Sequence, residues 1–416
     1  MTGTPPRRGG LVHRGGLPRR GGLVHRGGLP RRAGLVHRGG LPRRGGLVRR
    51  AGLVVVAGLV AVLTGAAPAA AHGGEAPQGT DYRAEVTSVA PARPGLTVRA
   101  VEAGVRLELV NRTGRAIEVI GYSGEPYLRV GPDGVFENSR SPATYLNRTL
   151  AEGATLPAEA DPAAAPHWQR IDDGTTARWH DRRALWQESD PPAQVLADPT
   201  REQRVRAWTI PLRDGTEPVE IRGTLDWVPP PDPYPWWVAT ALGFLLVGAA
   251  GLLATGTAAG ARALAGVGAA LAAGGLAAIV VTIGRVVDAG ASGVGEVLRG
   301  LLSGEFWALL TGLGALAAGG LALARRPAAD FAVALAGTCL VLFAGVGNLA
   351  VLSRSVPPLP WSGELARTLL VLILATGAGA TAAGILRLRS TALSHPPPTT
   401  PTPPTPPTPG VVVGPR

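Results

Sequence analysis

Five apolar stretches occupy the C-terminal half of this 416-residue chain: Trp237 to Gly256, Ala263 to Ile283, Phe306 to Ala324, Ala329 to Leu352 and Ala366 to Leu386. Each supplies about the 20 residues that carry an α-helix across the roughly 30 Å hydrocarbon core of a bilayer. The sequence therefore predicts an α-helical bundle of five transmembrane helices over residues 233 to 389. Arg262, the pair Arg325 and Arg326, and then Arg387 and Arg389 fall at one set of helix ends. Trp236, Trp237, Trp307 and Trp361 fall at the other. Arginines mark the cytoplasmic side and indoles the membrane interface, so the first helix is read as entering from outside and the C-terminus as cytoplasmic.

Within the spans, Gly266, Ala270, Gly274 and Ala278 recur at four-residue steps, a pattern that lets neighbouring backbones approach closely. Asn348 is the strongest polar group inside any span, and no acid or histidine lies deep in one, which argues against a proton relay or a bis-histidine haem. Arg285 and Asp288, placed just beyond the second helix, are expected to form a surface ion pair. Val294, Val297, Leu298, Leu301 and Leu302 share one helical face and predict an amphipathic segment on the outer surface. The proline- and threonine-rich residues 390 to 416 read as a disordered cytoplasmic tail.

The net charge of +12 is local. Of the 41 arginines, 13 fall in residues 1 to 50, and the remaining 28 face 29 acidic residues. No nucleic-acid partner is implied once the basic segment is set aside. That segment repeats RRGGLVHRGGLP with a period of twelve, and its glycine pairs bury too little to order the backbone, so residues 1 to 47 are expected to be disordered. A polybasic arm is one reading. A repeat expansion, or translation from an upstream start, is the favoured one. Arg49 and Arg50, the apolar run Ala51 to Leu63 and the small residues ending at Ala71 form a signal peptide over residues 48 to 71, with His72 as the mature N-terminus.

From 72 to 232 the pattern changes to short alternating runs with turn residues between them. Candidate strands are Arg83 to Val89, Leu96 to Glu102, Val105 to Val110, Ile117 to Tyr122, Tyr127 to Val130, Arg204 to Leu212 and Val219 to Trp227. NRTG and GPDG supply the turns, and the spacing predicts an all-β immunoglobulin-like sandwich exported to the outer face. In the third run, Arg106 and Glu108 are assigned to a wet face. The insert from Leu150 to Thr200 is expected to be a loop with short helical turns, pinned by Trp168, Trp179 and Trp186.

No motif carries an assignable reaction, and no enzyme is expected. Gly121-Tyr122-Ser123-Gly124 lacks the spacing of a nucleophile elbow, and Asp172 with Asp173 precedes a glycine as turn residues do. The single cysteine, Cys339, sits in an apolar run and leaves no disulfide or thiolate site. The metal candidate is a three-nitrogen copper site. A mature N-terminal His72 offers its amine and imidazole, and His167 and His180 are the other imidazoles of the exported part. This resembles the periplasmic copper-binding family, which also begins with a mature histidine on a β-sandwich, but the methionine ligands that copper-handling surfaces often use are absent. No other cofactor is expected. A second candidate surface is aromatic: turn formers in GEPY, GPDG and SPATY surround Tyr122, Tyr127, Phe136 and Tyr145, which form either a ligand surface or the apolar cap of the sandwich.

The run Gly121 to Asn147, with ARWHDRR and RGTLDWVPPP, resembles a group of actinobacterial membrane proteins that carry this ectodomain ahead of a C-terminal transmembrane bundle. The resemblance covers about residues 80 to 390. The absence of lysine and the excess of Ala, Gly, Pro and Arg fit such a GC-rich source. Members of that group carry a more histidine-rich HDRRALW segment, so Arg183 and Leu185 here weaken a metal role, and the resemblance implies no activity. The sequence thus points to a multi-pass cell-membrane protein whose ectodomain is a binding or scaffolding module. Its partners are the lipid bilayer and another membrane or envelope protein, with copper binding or delivery as the alternative.

Overall fold

A computed structural model describes residues 78 to 148 and 155 to 394. The arginine-rich repeat, the signal-like segment, His72 and the tail from His395 lie outside the described residues. Among the described residues ten strands form the β-rich part: β1 Tyr82–Ala90, β2 Leu96–Val101, β3 Arg106–Asn111, β4 Ile117–Ile120, β5 Pro126–Gly131, β6 Gly134–Asn138, β7 Trp168–Asp172, β8 Thr176–Trp179, β9 Gln203–Asp214 and β10 Glu217–Trp227. Two short helices, α1 Pro142–Leu146 and α2 Ala193–Ala197, lie between them.

The strands make two antiparallel sheets, one ordered β1-β10-β9-β4-β5-β6-β7 and one ordered β2-β3-β8. They share one core, in which Leu107, Leu109 and Trp179 of the small sheet belong with Ile117, Ile210 and Ile221 of the large one. In β9 the buried Trp208, Ile210 and Leu212 alternate with the exposed Thr209, Pro211 and Arg213, as the two-residue period of a half-buried strand requires. Each of the seven sequence-predicted runs contains a strand. Three more, β6 to β8, arise where the sequence reads as turn and loop. β7 is exposed over most of its length and has no alternation, so only its register against β6, with Phe136 opposite Arg170, makes it a strand.

Helices fill the rest: α3 Tyr234–Ala249, α4 Ala258–Asp288, α5 Val294–Ser303, α6 Phe306–Leu323, α7 Ala329–Cys339 and α8 Gly363–Ser394. Beyond Ala249 a 3₁₀ turn extends α3 over Ala250–Leu252, and beyond Cys339 the α7 chain winds on as a π-helix, Leu340–Gly345, and a 3₁₀-helix, Val346–Leu352. Among the described residues five segments, Tyr234–Leu252, Ala258–Asp288, Phe306–Leu323, Ala329–Leu352 and Gly363–Leu393, are long and apolar enough to cross a membrane. The protein is thus of multi-pass membrane type, with apolar helix surface available to lipid. α8 is the central helix and packs against α3, α4 and α7.

Glycines let α4 and α6 approach closely. A Cβ on Gly275 would stand 2.7 Å from the Gly312 carbonyl oxygen, and one on Gly319 would stand 2.5 Å from that of Gly268. Gly268 and Gly275 are seven residues apart, as are Gly312 and Gly319, so both contacts repeat on one face of the antiparallel pair. The stripe expected from the sequence is corrected in part. Gly274 turns inward against Thr376 of α8, but Gly266 faces open space. α5 is the expected amphipathic segment, with Leu301 buried and Val294, Leu298 and Leu302 exposed.

The β-domain is fastened to one end of the bundle at two places. Thr80 and Val356 exchange backbone hydrogen bonds of 3.0 and 2.9 Å, and the buried Asp81 carboxylate accepts from the Ser355 amide at 3.0 Å and from the Arg354 guanidinium. At the second place Asp288, the last residue of α4, accepts the Glu102 amide on its carbonyl at 3.0 Å and the Ala103 amide on its carboxylate at 2.9 Å. Next to it the connection after α4 covers the small sheet. Arg99 donates to the Gly290 carbonyl at 2.9 Å, while Glu108 accepts from Arg99 at 2.7 Å and Arg178 at 2.6 Å. Glu108 is only 2% exposed, so the face assigned to water is instead covered by the α4–α5 connection. Arg285 and Asp288 lie within α4 and not beyond it, and instead of the expected ion pair each is engaged elsewhere, Arg285 with Glu305 at 3.0 Å and Asn348 at 3.1 Å, Asp288 with the Ala103 amide at 2.9 Å.

Replacing Gly275 with Leu is expected to lower the stability of the bundle by about 1–3 kcal/mol, the usual cost of overpacking. Gly266→Leu, made where no atom lies within 4 Å, is expected to leave it unchanged. Thermal unfolding of the detergent-solubilised full-length protein compares the two.

Candidate functional site

Of the residues singled out in the sequence, Tyr122 and His180 lie at the end of the β-domain where the β4–β5 turn, α1 and the chain after β8 converge. Register places this end beside the β2–β3 turn that meets Asp288. Its polar side chains are buried among apolar ones, where each must find partners or cost stability. Glu125 accepts from the Ser141 hydroxyl at 2.6 Å and the Ser123 amide at 2.8 Å. Asn138 donates to the Pro126 carbonyl at 2.7 Å and accepts the amides of Arg140 and His167 at 3.0 and 2.9 Å. Ser141 also caps α1 by accepting from the Ala143 amide, as a serine at that position should.

Asp181 organises the other half. It is buried and accepts from the Trp179 indole at 3.1 Å and from the Arg183 side chain at 2.9 and 2.8 Å, a two-pronged pair that fits a guanidinium to a carboxylate. Arg183 reaches on to the Ile120 carbonyl at 3.1 Å and lies 4.9 Å above the Tyr122 ring. The Tyr122 hydroxyl accepts the Arg182 amide at 3.0 Å and donates to the Asn147 side chain. Burial, and after it the Asp181 charge, pushes the Tyr122 phenol up to about 12. The cluster therefore ties β4 and β5 to α1, to His167 and to the chain after β8.

The aromatic candidates divide. Tyr127 is 3% exposed and belongs to the core. Tyr122 packs on that core through its ring and into the polar cluster through its hydroxyl. Phe136 is half-buried beneath two guanidinium groups, Arg129 at 4.4 Å and Arg170 at 5.2 Å. Tyr145 donates to the Ser139 carbonyl at 3.0 Å and carries Arg148 over its ring at 5.1 Å. Phe136 and Tyr145 thus present cation-covered faces, and Tyr122 and Tyr127 do not form a continuous open patch with them.

The three metal candidates are also separated in role. His72 lies outside the described residues. His167 shares a 2.8 Å hydrogen bond between its Nδ1 and the Ser139 hydroxyl. His180 has both ring nitrogens occupied. Arg106 donates through Nε to His180 Nε2 at 3.2 Å, and because a guanidinium only donates, the proton must lie on Nδ1, which is 3.0 Å from the Asn147 carbonyl. The lone pair a metal would need is pointed at a cation. Among the described residues no group of three or more His, Cys, Asp or Glu side chains is arranged to hold a metal ion.

Sequence reasoning missed Glu125, Asn138, Ser141 and Asp181 as one set. Their shared signal is polarity without periodicity inside a run of turn formers, which by itself does not distinguish a surface loop from a buried network. No family model matches the chain, and no curated protein or solved structure matches it.

Two outcomes follow from this geometry. The fold favours the neutral Tyr122 phenol, so its contribution to stability is intact below pH 10 and is lost as pH rises from 10.0 towards about 12. Loss of the β-domain's circular dichroism is expected in that window together with tyrosinate absorbance, and the Tyr122→Phe protein is expected to lose its structure at higher pH relative to its own neutral-pH stability. For the metal set, Cu(II) added to the full-length protein is expected to give the same visible absorption in wild type and His180→Ala. A band that disappears in the variant would place His180 among the ligands.

Proposed function

We propose that this chain is a cell-envelope membrane protein whose β-domain, an immunoglobulin-like sandwich, faces outside and serves as a binding or scaffolding module for another membrane or envelope protein. The observation that carries this reading is the mounting of the domain. Two carboxylates, the buried Asp81 and the half-buried Asp288, and the short proline-rich link Val228 to Pro233 hold it on the bundle, so its free faces are presented in one orientation. A tethered catalytic domain has no need of such a mounting, whereas a recognition surface that must meet a neighbour in the same membrane does. The titratable groups of the buried cluster are all committed to holding strands and insert together, which supports a role without chemistry of its own.

The outward orientation is supported by the distribution of charge along the helices. Arg262, Arg325, Arg326 and Arg389 all lie at the bundle end away from the β-domain, and α4 alone, with 31 residues, separates the two ends by about 45 Å. Basic residues collect on the cytoplasmic side. An N-terminal export signal ending at Ala71 belongs to the same reading.

Photo-crosslinking residues placed at the exposed Leu196 and Ile171 of the β-domain are expected to give discrete adducts in intact cells. In a Cys339→Ala background, Ser303→Cys is expected to react with an impermeant maleimide in intact cells, and Ser390→Cys only after permeabilisation. Labelling of both cysteines from the same side, or no adduct from any β-domain position, would overturn the proposal.

A further inference from the structure

α5 carries an apolar stripe that the described residues leave uncovered. Val294, Leu298 and Leu302 recur at four-residue steps and are 79%, 54% and 64% exposed. Another side of the helix is engaged. Leu301 is buried, and Gly300 packs so closely on α4 that a Cβ there would stand 2.5 Å from the Val286 side chain. Glu296 accepts the Ser292 amide at 2.8 Å and the Ser292 hydroxyl at 3.2 Å, which ties down the start of the helix. Glu296, Arg299 and Ser303 are exposed and make up the polar face. The sequence marks α5 as amphipathic, but not what meets its apolar stripe.

The height of α5 in the membrane follows from the helices on either side of it. Gly275 of α4 lies against Gly312 of α6. From that contact α4 runs on for 13 residues to Asp288, whereas α6 begins only six residues away, at Phe306. At about 1.5 Å per residue α4 therefore outreaches α6 by roughly 10 Å. α6 itself has 18 residues and a length of about 27 Å, close to the roughly 30 Å of the hydrocarbon core, so its first residues stand near the boundary of that core. α5 descends from the one level to the other, through the headgroup layer, which adds roughly 5–8 Å on each side of the core. Its stripe also leads into a lipid-facing surface. Four residues after Leu302 comes Phe306, then Trp307, 63% exposed with its ring 5.4 Å from that of Phe306, and then the exposed Leu310 and Leu313. Indoles collect at the membrane interface.

We propose that α5 seats Val294, Leu298 and Leu302 in the boundary between acyl chains and headgroups of the leaflet next to the β-domain, so that the partner of this face is the lipid surface. Glu296, Arg299 and Ser303 then stay among headgroups and water, the arrangement of helices that lie in a membrane interface. The connection before α5, whose Gly290 lies against Glu108 at the seam with the β-domain, is thereby held at both of its ends, by Asp288 on one side and by the lipid-seated helix on the other. The inference rests on the membrane spans and holds whatever the β-domain binds.

Nitroxide labels test it on the full-length protein in phosphatidylcholine nanodiscs that hold one copy each. In a Cys339→Ala background, Leu298→Cys places the label on the stripe, Ser303→Cys on the polar face and Leu310→Cys in the span. Oxygen concentrates in lipid and a nickel chelate in water. The oxygen-to-nickel collision ratio at 298 is expected to be at least several-fold above that at 303 and to approach that at 310. Leu302→Cys is expected to give the same result independently. A ratio at 298 and 302 equal to that at 303 would place the stripe in water and overturn the proposal. Shielding of both positions from both reagents would overturn it as well, by showing a protein surface over the stripe.

Discussion

Asp288 stands where a long apolar helix must end against a β-domain, and much of the architecture depends on how that end is satisfied. The last carbonyls of any helix lack partners within it. Here the Asp288 carbonyl and carboxylate take the amides of Glu102 and Ala103, two donors that a β-turn would otherwise leave to water. The exchange closes the helix and fixes the turn at once. It also brings the α4–α5 connection down on the small sheet, where Gly290 leaves the Glu108 carboxylate and the Arg178 guanidinium no intervening side chain. Glu108 can then be buried because Arg99 and Arg178 both reach it.

The bundle solves a different problem with different residues. In lipid there is no hydrophobic gain in bringing helices together, so association depends on close packing and on polar contacts. α4 and α6 meet through glycines, and α7 meets α8 through Gly337 and Gly377 in the same manner. At the end away from the β-domain, Arg387 pairs with Asp330 at 2.7 Å and reaches the Gly260 carbonyl at 3.3 Å, tying α8, α7 and α4 together. At the seam end Arg285 and Arg367 do the equivalent work. Charged side chains thus sit at both ends of the spans, where water and backbone carbonyls are available, and leave the middle to small residues.

In the β-domain, the buried cluster around Glu125 and Asp181 accounts for the run from Gly121 to Asn147 in structural terms. Its turn formers bring Ser123, Ser141 and Asn147 within reach of Glu125 and Tyr122 in the β4–β5 turn, and Asn147 also within reach of His180 after β8. Although the Asn147 side-chain nitrogen is left buried without a partner, the network fixes the path of the insert. Arg183 and Tyr122 illustrate the economy of the arrangement, since one guanidinium serves the Asp181 carboxylate, a strand carbonyl and an aromatic face together.

Local pattern alone determined a good part of this protein. The five spans follow from runs of apolar residues, the outer strands from two-residue alternation, and α5 from its single apolar face, because each of these signals is carried by neighbours in the chain. Tertiary structure decided what depended on partners far away. β7 is a strand only because β6 is beside it. Glu108 reads as wet because its neighbours alternate, yet it is buried because residue 290 lies over it. Arg285 and Asp288 look like a pair in sequence, but contacts from Ala103, Glu305 and Asn348 divide them. His180 looks like a ligand until Arg106, 74 residues away, takes its lone pair. Periodicity reports which face of an element is apolar, whereas the role of a polar side chain is set by the groups that folding places against it.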